Sequence, residues 1–204
     1  MPAVRGKRVL IFGDSLSSGE SSPGDSMGRV LSATGATVHV NARIGRSANN
    51  FWGREDVIEQ IGECRAFRPQ VAIIQLGTND LGLNMTVDRE QMTKLRDALT
   101  IDGTVVYAFG PPTFPDQASN EQAKDVVDMM SSVFGNRFID LRPMTRDMLT
   151  AAAGRAQDGV HFSSKGGKVL GDRMAQSFMS ADSGGNASLV LALGLGILAW
   201  VMLR

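Results

Sequence analysis

The feature that most constrains the fold is an alternation between short apolar runs and longer stretches with helical spacing. The runs cover residues 8–13, 36–42, 71–77, 104–110 and 137–141. They are rich in Val, Ile, Phe and Tyr, and most are continuous in apolar character, which is typical of strands buried on both faces of a parallel sheet. Helical spacing of apolar residues covers residues 25–33, 50–67, 88–99, 117–134 and 164–179. This alternation predicts an α/β fold, and 204 residues are enough for one domain with a substantial core.

Polar residues recur where the predicted strands end. Ser15 follows the first strand in the stretch GDSLS, and Gly45 follows the second in NARIGRS. Asn79 follows the third strand in GTND, and Asp158 and His161 come after the fifth in DGVHFS. Ligands of an open parallel sheet bind at the carboxyl ends of its strands. The placement of these polar residues after the strands therefore predicts a functional site built from these loops.

The residue types suit nucleophilic catalysis. A serine hydroxyl is a weak nucleophile until a base takes its proton, and neutral imidazole can do this near pH 7. Of the two histidines, His39 lies inside the second predicted strand, which favours a structural role, whereas His161 lies in a loop before a helix. Asp158 precedes His161 by three residues, a spacing that allows the carboxylate to orient the imidazole as in a Ser-His-Asp triad. The order Ser, Asp, His is that of α/β-hydrolases, but GDSLS is not their G-x-S-x-G elbow.

Acyl transfer also needs hydrogen-bond donors for the oxyanion that develops in the transition state. The candidates are the backbone N–H groups of Ser15 and Gly45 and the side-chain amide of Asn79. A glycine at position 45 lets the backbone approach a ligand closely.

Each of these stretches also has a purely structural interpretation. Residues 13–15 can form a turn in which Asp14 caps a helix, and residues 77–80 can form an Asx turn. Asp158 and Gly159 are a common turn pair. The occurrence of all of them in order, each after a strand, favours a catalytic site over separate turns.

Together these stretches resemble the SGNH (GDSL) family of esterases and lipases over roughly residues 8–178. FGDSLSSG is similar to the first block of the family, GTND to the third and DGVHFS to the fifth, while NARIGRSA is the loosest match, to the second. The resemblance implies a three-layer α/β/α, flavodoxin-like sandwich with strand order 2-1-3-4-5. It also implies that Ser15 is the nucleophile, that Asp158 and His161 are the acid and the base, and that Ser15, Gly45 and Asn79 form the oxyanion hole.

The expected activity is the hydrolysis of carboxylic esters through an acyl-enzyme, with no metal or organic cofactor. Most connections between the predicted elements are short and leave little room for a lid. An open site of this kind favours a small acyl group, such as acetyl, on a carbohydrate or cell-wall glycan. A lysophospholipase or thioesterase acting on lipid acyl chains is the alternative substrate class. A catalytically idle structural component of a membrane-bound assembly is the alternative without catalysis.

Composition limits the partners. The 21 basic and 21 acidic residues give a net charge of zero, which does not favour a nucleic-acid partner. The single cysteine, Cys64, excludes an internal disulfide and is expected in the core. Arg43, Arg46 and Arg54 flank the second block, where they meet either an anionic substrate group or solvent.

The two ends of the chain carry further expectations. The apolar part of the first strand has four residues, fewer than the roughly 7–15 of a secretory signal, so a cytoplasmic domain over residues 1–181 is expected. Residues 182–188 are a polar linker, and residues 189–204 are a predicted apolar C-terminal helix. Fifteen helical residues span about 22 Å, against roughly 30 Å of bilayer hydrocarbon. Three expectations stay open for this segment: it anchors the chain in a membrane, packs against protein such as a partner subunit, or is disordered.

Overall fold

The predicted strands form one five-stranded parallel sheet. The computed structural model describes residues 4–48, 57–100 and 102–183. The strands are β1 (Arg8–Gly13), β2 (Thr37–Ala42), β3 (Val71–Gln75), β4 (Val105–Phe109) and β5 (Phe138–Ile139). Their order is β2-β1-β3-β4-β5, and every neighbouring pair is parallel. The predicted α/β class and strand order are confirmed.

Helices cover both faces of this sheet. They are α1 (Pro23–Ala33), α2 (Val57–Ala66), α3 (Met85–Leu99), α4 (Gln117–Phe134), α5 (Arg142–Thr145) and α6 (Ser164–Asp182). Leu10 and Phe12 of β1 belong to a core shared with α2, α3 and α4. Val9 and Ile11 belong to a second core shared with α1, α5 and α6. The apolar run of β1 is continuous because both faces of the strand are buried, which makes the three layers of an α/β/α sandwich.

β2 departs from the predicted burial. It is an edge strand that pairs with β1, and only Asn41 of its six residues is buried. The prediction of a strand buried on both faces is therefore wrong for β2, because a sheet edge is covered less completely than its centre. His39 of this strand faces the ring of Phe67, with 5.3 Å between the ring centroids, in keeping with a structural role.

Side-chain caps set the starts of four helices, one of which is α4, capped by the carboxylate of Asp116. The hydroxyl of Ser22 caps α1 and is followed by Pro23, the amide oxygen of Asn84 caps α3, and the hydroxyl of Ser163 caps α6. α1 and α3 begin before the predicted residues 25 and 88, because a cap, followed in α1 by Pro23, starts each helix ahead of its apolar periodicity.

α1 and α6 pack against each other through glycines. A Cβ atom on Gly171 of α6 would lie 2.7 Å from the backbone nitrogen of Met27 and 2.8 Å from the carbonyl oxygen of Pro23. These distances leave no space for a side chain. The contact holds the segment that precedes α1, which contains Ser15, beside the start of α6, which follows His161.

The C-terminal end of α6 is fastened to the domain. The carboxylate of Asp182 pairs with Lys7 at 3.0 Å and accepts a hydrogen bond from the Tyr107 hydroxyl at 3.2 Å. The first residue of the predicted linker therefore packs onto the sheet layer. The predicted apolar helix of residues 189–204 lies outside the described residues. Within residues 4–48, 57–100 and 102–183, no helix has the length and apolar character needed to cross a membrane.

Candidate active site

Ser15 lies directly after the carboxyl end of β1. It begins a single 3₁₀ turn, Ser15–Ser17, whose cap is the Asp14 carboxylate accepting from the Leu16 N–H at 2.8 Å. The structural interpretation of Asp14 as a cap is thus correct, and it is compatible with a nucleophile at the next position. The cap fixes the turn that presents the Ser15 hydroxyl at the edge of the sheet.

The structure brings Ser15, His161 and Asp158 together in one hydrogen-bonded chain. Nε2 of His161 lies 2.9 Å from Oγ of Ser15, and Nδ1 lies 2.6 Å from a carboxylate oxygen of Asp158. An ionised carboxylate only accepts hydrogen bonds, so Nδ1 carries the proton. In the neutral imidazole Nε2 is then an acceptor for the serine hydroxyl, which is the tautomer that a general base requires.

Asp158 is held in place by its own turn. One carboxylate oxygen accepts hydrogen bonds from the backbone N–H groups of Val160 and His161, both at 2.9 Å, and Gly159 provides the positive φ of 71°. The hydrogen bond to the His161 ring, followed by the backbone hydrogen bond from His161, lowers the pKa of Asp158 to about 2. The turn therefore holds the carboxylate in the position from which it contacts His161. The low pKa keeps this carboxylate ionised at neutral pH.

The site is open to solvent. The side chains of His161 and Asp158 remain 42% and 51% exposed. This exposure agrees with the expectation that the short connections leave little room for a lid.

Gly45 and Asn79 lie on two loops that the structure joins to each other and to the end of β1. The Asn79 amide donates to the carbonyl of Arg46 at 3.0 Å, and the Arg43 N–H donates to the carbonyl of Gly13 at 3.1 Å. Gly45 has a positive φ of 73° and is exposed, as is Asn79. The Gly45 loop therefore runs between the strand end that carries Ser15 and the loop of Asn79.

Arg46 occupies neither of its two predicted environments. It is 4% exposed, and its guanidinium donates to four acceptors at 2.7–2.9 Å: the carbonyls of Gly13 and Asn41, the side-chain oxygen of Asn41 and that of Gln60. It also stacks 3.9 Å above the ring centroid of Phe12. These acceptors hold Arg46 inside the fold, so the prediction of contact with substrate or solvent is wrong. Arg43 is exposed, and Arg54 lies outside the described residues.

Asp14, the residue before Ser15, is a carboxyl group in the interior of the fold. It is fully buried, and its second carboxylate oxygen has no hydrogen-bond partner among the described residues. Burial, with a smaller contribution from the Asp80 carboxylate, raises the pKa of Asp14 to about 7. Cys64 is also buried, as predicted for a core residue, and burial raises its pKa to about 11.

Two cavities flank the hydrogen-bonded chain. The smaller one, of about 130 Å³, adjoins Ser15 and His161, and hydroxyl groups and one carboxylate make up much of its wall: Ser18, Glu20, Ser21, Ser22 and Ser164. The larger one, of about 510 Å³, adjoins Asp158 and has a more apolar wall that includes Leu81, Phe114, Leu149 and Val160. The site thus offers one small polar space and one larger groove of mixed character. Among the described residues, no group of three or more His, Cys, Asp or Glu side chains could hold a metal ion.

A sequence model of the GDSL-like lipase/acylhydrolase family matches residues 11–169. The chain belongs to this family. The matched region runs from β1 into α6 and so includes every residue of the site, and the protein is a serine ester hydrolase of the SGNH type. No protein with a curated description matches the sequence.

Solved structures share the fold at low sequence identity. A lipase/acylhydrolase from Enterococcus faecalis is 19% identical, with a TM-score of 0.67 over 85% of this chain and 96% of that one. A catalytic mutant of Axe2, an acetylxylan esterase from Geobacillus stearothermophilus, is 17% identical, with a TM-score of 0.67 over 92% of this chain and 98% of that one. Another Axe2 mutant, described as an acetyl-xylooligosaccharide esterase, has a TM-score of 0.66 at 17% identity over 89% and 96%. The fold of this GDSL-like hydrolase is therefore that of known SGNH esterases.

Proposed function

We propose that this GDSL-like hydrolase cleaves carboxylic esters with Ser15 as nucleophile, His161 as general base and Asp158 as the group that orients the imidazole. The observation that carries the proposal is the continuous chain of 2.9 Å and 2.6 Å contacts through His161. His161 takes the Ser15 proton while Oγ attacks the ester carbonyl, and the ionised Asp158 stabilises the imidazolium that forms. The imidazolium then protonates the departing alcohol.

The same groups then hydrolyse the acyl-enzyme, with water in place of the Ser15 hydroxyl as the attacking group. Water attacks the acyl carbon, His161 takes its proton, and the carboxylic acid leaves as Ser15 is regenerated. In both steps the oxyanion accepts hydrogen bonds from the N–H groups of Ser15 and Gly45 and from the Asn79 amide. The second hydrogen of that amide has no protein partner within the described part of the chain, which leaves it available to the oxyanion.

The proposed substrate is a small acyl ester, most simply acetyl, on a carbohydrate or cell-wall glycan. The cavity beside Ser15 and His161 holds about 130 Å³, and its hydroxyl and carboxylate groups offer hydrogen bonds to sugar hydroxyls. The half-exposed triad gives access to an ester on a large carrier. Fold neighbours described as acetylxylan and acetyl-xylooligosaccharide esterases support this choice.

The competing substrate class is a lipid acyl ester or thioester. It is favoured by the groove of about 510 Å³, whose wall includes Phe114 and Leu149. An acyl chain placed there would bury apolar surface that the small polar cavity cannot cover.

The decisive experiment measures acetate release from acetylated xylooligosaccharides and hydrolysis of p-nitrophenyl esters from acetyl to dodecanoyl. We expect acetyl esters to be the best substrates and turnover to fall steeply beyond short chains. Ser15→Ala should lower kcat by roughly 10⁶-fold, whereas Ser131→Ala, at an exposed serine of α4, should not change it.

The other results would contradict parts of the proposal separately. A preference for dodecanoyl esters would replace the glycan substrate by the lipid class. Full activity of Ser15→Ala would exclude Ser15 as nucleophile. Absence of both turnover and fluorophosphonate labelling at Ser15 would indicate an idle domain.

A further inference from the structure

Arg155 is a buried cation beside the candidate site. Its relative exposure is 2%, and it is among the largest fully buried side chains of the described fold. Within the described ranges it forms no salt bridge. Its donors go instead to three main-chain carbonyls: Nε to Met148 at 3.0 Å, Nη1 to Val160 at 3.1 Å and Nη2 to Thr113 at 2.6 Å.

Arg155 contacts the residues on both sides of His161. The carbonyl of Val160, immediately before the histidine, accepts from Nη1, and the ring of Phe162, immediately after it, lies 4.1 Å below the guanidinium carbon. The backbones also meet, since Arg155 and Phe162 form an antiparallel bridge and the Ala156 N–H donates to the His161 carbonyl at 2.9 Å. The peptide units on either side of His161 are thus held by the Arg155 side chain together with backbone hydrogen bonds of the same segment.

Only a guanidinium suits this arrangement. Its planar fork of five N–H donors reaches three carbonyls in different directions, whereas a lysine ammonium is a compact point charge on a flexible stem. Burial lowers the pKa of Arg155 to about 10, so the side chain remains protonated at neutral pH. A buried cation without a paired carboxylate is a costly way to fill a core, because an apolar side chain of similar volume fills it without desolvating a charge.

We propose that Arg155 is a positioning residue that holds the imidazole of His161 in line between Asp158 and Ser15, acting through the Val160 carbonyl and the Phe162 ring. This inference rests on the proposed role of His161 as general base. Arg155 also joins the loop after β4, through Thr113, to the loop that carries His161. The position of the imidazole is therefore fixed relative to the sheet as well as by its own turn.

The test compares Arg155→Lys and Arg155→Met with the wild type, with Arg173→Met as the matched control. Arg173 also donates to a main-chain carbonyl, that of Met144, and to the Asp147 carboxylate, but it lies on α6 without a contact to the described residues beside His161. The readouts are kcat and KM for p-nitrophenyl acetate, the fluorophosphonate labelling rate of Ser15, and the far-downfield proton resonance of the His161 Nδ1–H. Circular dichroism and thermal unfolding report the folded fraction.

We expect both Arg155 variants to lose roughly 10²-fold in kcat with little change in KM, because displacements of about 1 Å in a catalytic group cost this much. Lysine should not rescue the loss, and the Nδ1–H resonance should broaden or disappear in both. Arg173→Met should lower the unfolding temperature and leave kcat and the resonance unchanged. Wild-type kcat and an intact resonance in Arg155→Met would overturn the proposal, and so would a loss of kcat that only follows the folded fraction.

A second variant covers the case in which Arg155→Met does not fold. Phe162→Leu removes the ring beneath the guanidinium and keeps the three carbonyl hydrogen bonds, so it should reduce kcat and broaden the resonance to a smaller extent. An unchanged resonance in this variant would also count against the proposal. The resonance does not depend on the substrate, so an unsuitable ester would affect the turnover assays of the wild type and leave this test intact.

Discussion

Nε2 of His161 lies 2.9 Å from Oγ of Ser15, although 146 positions separate the two residues in the chain. Two features of the fold produce this proximity. Ser15 follows a central strand at the carboxyl edge of the sheet, and the glycine contact between α1 and α6 holds the end of the His161 loop against the same edge. The distance between the two atoms is therefore a property of the whole domain.

Asp158→Asn should lower kcat for p-nitrophenyl acetate by about 10⁴-fold with a small change in KM, because the imidazolium loses its counter-charge and its fixed tautomer. The pKa of Asp158 is about 2, chiefly through its hydrogen bond with His161, so the wild-type carboxylate stays ionised at every pH at which a histidine base works. Asp116→Asn is the control, since this cap of α4 borders the larger groove and asparagine also caps helices well. A loss of less than tenfold in Asp158→Asn would contradict an orienting role.

Asn79→Ala should lower kcat by roughly 10²–10³-fold, the usual effect of removing one donor to an oxyanion. The substitution also removes the 3.0 Å hydrogen bond to the Arg46 carbonyl, so stability must be measured beside activity. Asn84→Ala provides the comparison, because Asn84 caps α3 and its loss should cost about 1 kcal/mol of stability without changing kcat. If both variants lose stability equally and neither loses kcat, the Asn79 amide does not bind the oxyanion.

The fold and the candidate site differ in how far the sequence predicts them. Continuous apolar runs identify central strands such as β1 and β3, whose apolar residues are buried on both faces. Because the chain places its polar residues after strands, the sequence alone is enough to assign Ser15, Asn79 and His161 to one edge of the sheet. The partial burial of β2 has a signal in the sequence, because Thr37, His39 and Asn41 alternate with apolar residues, as in a half-buried strand. Its edge position depends on the final strand order.

Arg46 and Arg155 show what sequence reasoning misses at the site. An arginine in a loop is normally a solvated charge. These two are buried because several carbonyl and amide oxygens from separate segments converge on each guanidinium. No local pattern reveals such a convergence, since the acceptors of Arg155 include Thr113, which lies 42 positions away. The motifs that carry the proposed catalytic residues can be identified in the sequence, whereas the contacts of Arg46 and Arg155 can be identified only in the structure.

Gly171→Ala should destabilise the fold by roughly 1–3 kcal/mol or more, because its Cβ would overlap the Met27 nitrogen and the Pro23 oxygen of α1. It should also reduce kcat, since α1 and α6 hold the Ser15 and His161 segments together. Gly62→Ala is the matched control: this exposed glycine lies in α2 with no described atom within 4 Å of the added Cβ, so alanine should stabilise by about 1 kcal/mol. Urea unfolding measures the change in the free energy of unfolding of each variant, which should be opposite in sign. An unchanged free energy in Gly171→Ala would show that the two helices can separate at little cost.

Asp14 should make the stability of the protein fall as the pH rises toward neutrality. Burial raises the pKa of this carboxyl from about 3.8 to about 7 in the folded state. Between these two values the unfolded chain releases a proton that the folded chain retains, so the folded state binds more protons and the free energy of unfolding decreases with pH. The decrease should level off above about pH 7, where both states are ionised.

Asp14→Asn isolates this effect, because the asparagine oxygen can still accept the hydrogen bond that the Leu16 N–H donates at 2.8 Å. Urea unfolding of the wild type and the variant at pH 5, 6, 7 and 8 gives the difference in their free energies of unfolding. Between pH 5 and pH 7 that difference should grow in favour of the variant by a few kcal/mol, since a tenfold change in proton concentration corresponds to about 1.4 kcal/mol. A difference that stays constant from pH 5 to 8 would mean that Asp14 is ionised throughout, and that its charge is balanced inside the fold by the Arg46 guanidinium, which lowers the pKa of Asp14.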